Sequence, residues 1–134
     1  MDAATPSTLR GIPLFADLAD EELAALADRV GEFTARAGQV LIEIGQPGSG
    51  LFVIEDGAVE VELPAGEPVR LGPGEFVGEL ALLTDDPHHA RVRAATDVRC
   101  LAIGRADFAS LLDEHPRVAV AMLPVLARRL AGMI

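Results

Sequence analysis

Between Gly38 and Gly78 the chain carries glycines at 38, 45, 48, 50, 57, 66, 72, 74 and 78, and the stretches between them are short and rich in Val, Ile, Leu and Phe. No long helix survives that density of glycine, whereas short strands joined by tight turns require it. The clearest piece is "LFVIEDGAVEVEL". Leu51 to Glu55 reads as one strand, Asp56-Gly57 as a hairpin turn, and Ala58 to Leu63 as the next strand. In the second strand Val59, Val61 and Leu63 alternate inward with Glu60 and Glu62 outward, so one face is core and the other meets water. Further strands are predicted at Val69 to Leu71, Phe76-Val77, Arg91 to Ala95 and Val98 to Ile103. Repeated short strands without helices between them indicate an antiparallel barrel or sandwich.

Helices flank this block. From Asp20 to Val30 the residues Leu23, Leu26, Ala27 and Val30 make one apolar stripe, with Asp17 or Asp20 as cap and Glu21 and Glu22 suited to the positive first turn. The segment "RADFASLLDEHP" puts Phe108, Leu111 and Leu112 on one helical face and stops before Pro116. From Arg117 to Ile134 the apolar positions Val118, Met122, Val125, Leu126 and Met133 predict a second C-terminal helix, with Pro116 at its first position. Pro124 falls inside it, where the missing N–H predicts a kink or break.

The 134 residues fit a single domain. Its expected layout is a helix at about 20–31, the β block at about 38–104 and C-terminal helices at about 105–134. Half of the residues are hydrophobic and 24% are charged, the composition of a globular chain with a sizeable core. The formal net charge is −10, from 21 acidic and 11 basic residues, and all the basic ones are arginine. Direct nucleic-acid binding is therefore not expected, since a phosphate backbone selects for clustered positive charge. Arg128-Arg129 reads as a solvated helix face suited to the negative end of the dipole. Residues 1–13 have neither a basic start nor an apolar run, and no apolar stretch reaches membrane-spanning length, so a cytoplasmic protein without membrane contact is expected. Cys100 is alone, between apolar strand residues, and reads as a small core residue.

The stretch "GELALLTDDPHHARVRAAT", Gly78 to Thr96, lies between two strands. A helical turn opening near Glu79 would aim free backbone N–H groups at one spot, the arrangement that binds anions, and Gly78 would let a ligand approach closely. A carboxylate at that spot suits a donating sugar hydroxyl rather than a bare phosphate. A phosphate joined to a ribose satisfies both. "DDPHH" lacks the spaced third ligand of a metal site, and neither a nucleophile-and-base pair nor a cofactor motif is present, so no enzyme is expected.

The order of elements, together with "PLFADLADEELAALA", "AGQVLIEIGQPGSGLFVIEDGAVEV", "LGPGEFVGE", the Gly78–Thr96 stretch and "FASLLDEHPRVAVAMLPVLARRL", resembles the cyclic nucleotide-binding domains of catabolite-activator-type regulators, cAMP-dependent kinase regulatory subunits and cyclic-nucleotide-gated channels. The resemblance implies an antiparallel β-roll, a double-stranded jelly-roll-like barrel, with an N-terminal helix and C-terminal helices. It implies a regulatory or sensor domain that binds a cyclic nucleotide, cAMP or cGMP, in the roll and signals through the C-terminal helices. Glu79 matches the glutamate that accepts from the ribose 2′-hydroxyl, and Gly78, Leu80 and Ala81 match the turn whose backbone faces sugar and phosphate. Without a gap, the family's phosphate-pairing arginine falls on His88, and the next position on His89.

Arginine is always charged and forked, whereas histidine is mostly neutral at pH 7. Asp85 and Asp86 would add repulsion if they faced the anion. Arg91 or Arg93 could supply the lost charge; on an alternating strand the two share a face and look toward the pocket or away from it together. The competing expectation is a domain that keeps the fold, binds no cyclic nucleotide, and docks another protein or forms a homodimer through the C-terminal helices. In transcription regulators of the family a long dimer helix and a DNA-reading domain follow, so a chain ending at Ile134 is expected to act through another polypeptide or as part of a longer one.

Overall fold

A computed structural model of the chain describes residues 5–47, 50–78, 84 and 86–132. Two compact units emerge: one comprises the N-terminal segment to Val30 with the segment from Ala106 onward, and the other spans Gly31–Arg105.

The second unit is the predicted β-roll. Its strands are β1 (Gly31–Ala35), β2 (Val40–Ile42), β3 (Gly50–Asp56), β4 (Val59–Glu62), β5 (Val69–Leu71), β6 (Phe76–Val77), β7 (Arg91–Ala94) and β8 (Val98–Gly104). They form two four-stranded antiparallel sheets, ordered β1-β8-β3-β6 and β2-β7-β4-β5. The pairs β1–β8, β2–β7, β3–β6 and β4–β5 nest inside one another, like a long hairpin folded at its middle and rolled. Contacts β3–β8 and β4–β7 then close each sheet. Two strands went unread in the sequence. β1 lies before the dense glycine run, and its alternation is spoiled by exposed Gly31, Glu32 and Thr34; β2, inside the run between Gly38 and Gly45, is only three residues long.

The hairpin expected at Asp56-Gly57 is corrected by this topology: β3 and β4 belong to different sheets. The turn is a corner between them. Ala58 N–H donates to Thr96 Oγ1 at 3.1 Å, and Ala95 N–H donates back to the Ala58 carbonyl at 2.9 Å, so the corner is tied to the β7–β8 turn. The core inside the roll gathers Ala35, Ile42, Ile54, Val59, Val77, Val92, Ala94, Val98 and Cys100, with Val61 and Leu71 packed against it. Cys100 is fully buried, and desolvation pushes its thiol up to about 11, far from reactive at neutral pH.

The helical unit holds α1 (Pro6–Arg10), a 3-10 turn at Pro13–Phe15, α2 (Asp20–Ala27), α3 (Arg105–Glu114, from its second residue) and α4 (Arg117–Gly132). α2 stops at Ala27, earlier than the apolar stripe suggested, and Val30 lies outside it. Its start is capped by Glu22, whose Oε1 accepts from Ala19 N–H at 2.8 Å. Arg29 donates to the Ala25 carbonyl and to Glu114 at the end of α3, at 2.8 and 2.7 Å, and Ser110 Oγ donates to the other Glu114 oxygen. α4 spans Pro124 as one helix, so of the kink or break expected there, the break does not occur. The proline is exposed, as is Val120 one turn before it, so a carbonyl left without its helical donor there can meet water.

Candidate ligand site of the beta-roll

Gly78 follows β6 with φ +95°, a backbone conformation that side-chain-bearing residues rarely adopt. A Cβ there would sit 2.4 Å from the Gly50 carbonyl oxygen, so this glycine lets the backbone of β3 come close. Glu79, Leu80 and Ala81, expected to cradle sugar and phosphate, lie outside the described residues, as does Asp85.

His88 is described, and its backbone is fastened at both ends. Its N–H donates to the Gln46 carbonyl at 2.9 Å, and its carbonyl accepts from Gly45 N–H at 2.9 Å. These two bonds carry the β2–β7 pairing beyond its last rung, Ile42 with Val92. The side chain is half-buried, while that of His89 is exposed. Burial first, then the charge of Arg105 and that of His89, hold the His88 imidazole below its ordinary pKa of 6.5. At pH 7 it is neutral and offers one N–H.

Arg91 and Arg93 share a face of β7, and of the two orientations left open the structure shows the outer one. Val92 and Ala94, between and after them, fill the core of the roll. Arg91 Nε donates to Glu43 Oε1 at 2.8 Å, and its Nη1 lies 3.7 Å from Glu62 Oε1. Arg93 Nε donates to Glu62 Oε2 at 3.1 Å, and its Nη1 to the Gly38 carbonyl at 3.0 Å. The hydrogen bond from Arg91 holds the Glu43 carboxyl below the ordinary carboxylate range, and Glu43 in turn raises the Arg91 guanidinium. Both arginines are thus committed to carboxylates outside the roll.

Sequence reading missed Glu43, Glu62, Arg105 and the Gly45-Gln46 segment as neighbours of the site. Glu62 carried a signal, its outward alternation in β4 opposite Arg91. Glu43, Arg105 and Gly45-Gln46 carried none, since only the folded sheets bring them near residues 88–93.

The profile of the cyclic nucleotide-binding domain matches residues 32–115, well over half of the chain. This chain belongs to that family. Over 108 residues it is 40% identical to a cyclic nucleotide-gated potassium channel of Mesorhizobium japonicum, covering 81% of this chain and 30% of the channel. It spans only about a quarter to a third of the first curated relatives it matches. Among solved structures, the Thermus thermophilus catabolite activator protein superposes with a TM-score of 0.78 at 31% identity, over 90% of this chain and 59% of that one. The regulatory subunit of a cAMP-independent protein kinase A from Trypanosoma cruzi, bound to guanosine, superposes with a TM-score of 0.75 at 29% identity, over 90% and 42%. The cyclic nucleotide-binding domain is a non-catalytic regulatory module, and its relatives join it to enzymes and channels. No described helix is long and apolar enough to cross a membrane.

Proposed function

We propose that this domain is a regulatory module whose β-roll takes a cyclic nucleotide, cAMP before cGMP, with His88 at the phosphate and Glu79 at the ribose 2′-hydroxyl, and whose C-terminal helices carry the response to a partner. Family membership supports the ligand class. The observation that carries the rest is His88, half-buried, neutral at pH 7 and held in place by two backbone bonds. Gly78, Leu80, Ala81 and His89 would line the same sugar-phosphate cradle. A neutral imidazole in place of a guanidinium forgoes a charge-assisted contact of about 1.5–3 kcal/mol, which lowers affinity about ten- to a hundredfold. Protonation restores the charge, so affinity should rise as the pH falls below 6.5.

Calorimetric titration with cAMP and cGMP at pH 5.5 and pH 8 tests this reading. Tighter binding at the lower pH is expected, His88→Arg should bind well at both, and Glu79→Ala should lose about tenfold or more. Absence of heat from millimolar ligand in both buffers, with His88→Arg equally silent, would favour a domain that only docks other proteins.

A second reading is favoured by the commitment of Arg91 and Arg93 to Glu43 and Glu62. A roll that borrows no charge from β7 suits an uncharged nucleoside, and guanosine occupies the Trypanosoma cruzi relative. Adenosine and guanosine titrated beside the cyclic nucleotides separate the two: nucleoside binding that ignores pH would replace the first reading.

For the partner, α4 exposes Val120, Leu123 and Leu130, more than half of each side chain's surface. Their spacing of three and seven residues puts them along one helical stripe suited to another helix, from a second copy or a different protein.

A further inference from the structure

The ion pair that Arg91 makes on the outer face of β7 points to a further task. Glu43 follows β2 directly, and Gly45 and Gln46 come two and three residues later; Arg91 opens β7, three residues after His88. The same two chain segments are therefore joined twice, by the Arg91–Glu43 pair at 2.8 Å and by the two backbone bonds between His88 and Gly45-Gln46 at 2.9 Å. The pair sits between the last rung of the ladder and the bonds that hold His88. Glu62, on the neighbouring strand β4, adds a second carboxylate to Arg91 and is shared with Arg93, so the guanidinium is braced from two strands. Both side chains of the pair keep more than a third of their surface exposed, so water partly screens the contact and its effect is modest and local.

We infer that Arg91 and Glu43 are positioning residues: from outside the roll their ion pair clasps the β2–β3 connection to the start of β7 and so fixes where His88 stands. This rests on His88 being the phosphate-side residue, but the clasp itself is measurable without any ligand. An opened clasp lets the segment around His88 lift, its two backbone bonds open more often, and water reach the imidazole.

Amide hydrogen exchange and an NMR titration of His88 on the full chain test it. Arg91→Gln and Glu43→Gln should each speed exchange at Gly45 and His88 by about two- to fivefold, the range expected for a partly exposed pair, with Val61 in β4 unchanged. The double variant should be no faster than Arg91→Gln, which already removes the Glu43 pair together with the weaker Glu62 contact. Glu43→Gln is decisive for His88. Simple loss of a nearby negative charge would lower the imidazole pKa, whereas better hydration raises it toward 6.5, and a rise is expected. Unchanged exchange in both single variants, additive effects in the double variant, or a fall in the His88 pKa in Glu43→Gln would each overturn the clasp. If no cyclic nucleotide binds the unaltered protein, the ligand reading fails while the exchange and titration results still decide the clasp.

Discussion

Gly57 shows how a single residue sets the corner between the sheets. At φ +87° it holds a conformation costly to other residues, and a Cβ there would lie 2.2 Å from the Asp97 carbonyl oxygen and 2.9 Å from Thr96 Oγ1. Backbone strain alone costs about 1–3 kcal/mol, and the clash forces the β7–β8 turn away from Ala58 as well. Gly57→Ala should therefore destabilise the fold by about 3 kcal/mol in urea unfolding. Gly38 is the control: φ is +90°, but nothing lies within 4 Å, so Gly38→Ala should show the conformational cost of about 1 kcal/mol and little more. Equal costs at the two positions would mean that close approach to Asp97 does not define the corner.

Among the elements, α4 follows its apolar pattern through a proline. A kink or break was expected at Pro124; the helix is not broken there, and Val118 and Met122, buried before the proline, anchor the helix ahead of it. Its exposed stripe contributes nothing to the fold. Replacing both Leu123 and Leu130 with Glu should change stability by no more than about 0.5 kcal/mol. The same change should abolish concentration-dependent association in light scattering if the stripe receives a second copy. A protein that stays monomeric at every concentration before the substitution would assign the stripe to a different partner. A large loss of stability would show that the leucines are buried after all.

At the scale of the whole molecule, acid should weaken the fold while it favours a cyclic nucleotide. The His88 pKa is lowered in the native state, so the unfolded chain takes up that proton first: stability is full above 6.5 and declines as the pH falls below it. Glu43 and Glu114 are lowered by Arg91 and Arg29, so their contributions stand above 4.5 and are lost as the pH falls through their native values. The three act in the same direction. The melting temperature should fall from pH 7.5 to pH 5, and less steeply in His88→Gln, which cannot take up the proton. An identical slope in that variant would remove His88 from the acid response. Because a bound phosphate would favour the protonated imidazole, cAMP should raise the melting temperature more at pH 5.5 than at pH 8.

How much of this was legible in the chain follows from the range of each interaction. Glycine spacing and two-residue alternation are local, and they were enough for an antiparallel barrel or sandwich flanked by helices and for the strands from Leu51 onward; several motifs in order gave the family resemblance and, with it, the β-roll. The Gly78–Thr96 stretch likewise supplied the candidate site proposed above, with His88 where the resemblance implies an arginine. The corner at Asp56-Gly57 looked like a hairpin because a turn's sequence specifies a reversal, not which strand lies alongside. That choice belongs to β8 and β7, more than thirty residues away, which pair with β3 and β4 in separate sheets. Alternation put Arg91 and Arg93 on one face but could not say which; burial of Val92 and Ala94 in the roll core decided it, and the register that brings Glu43 and Glu62 alongside supplied the partners. The sequence by itself determined most of the strands, the flanking helices and the residue types available at the candidate site. Tertiary structure alone decided which charges neutralise one another, because that depends on distances between strands that no local pattern encodes.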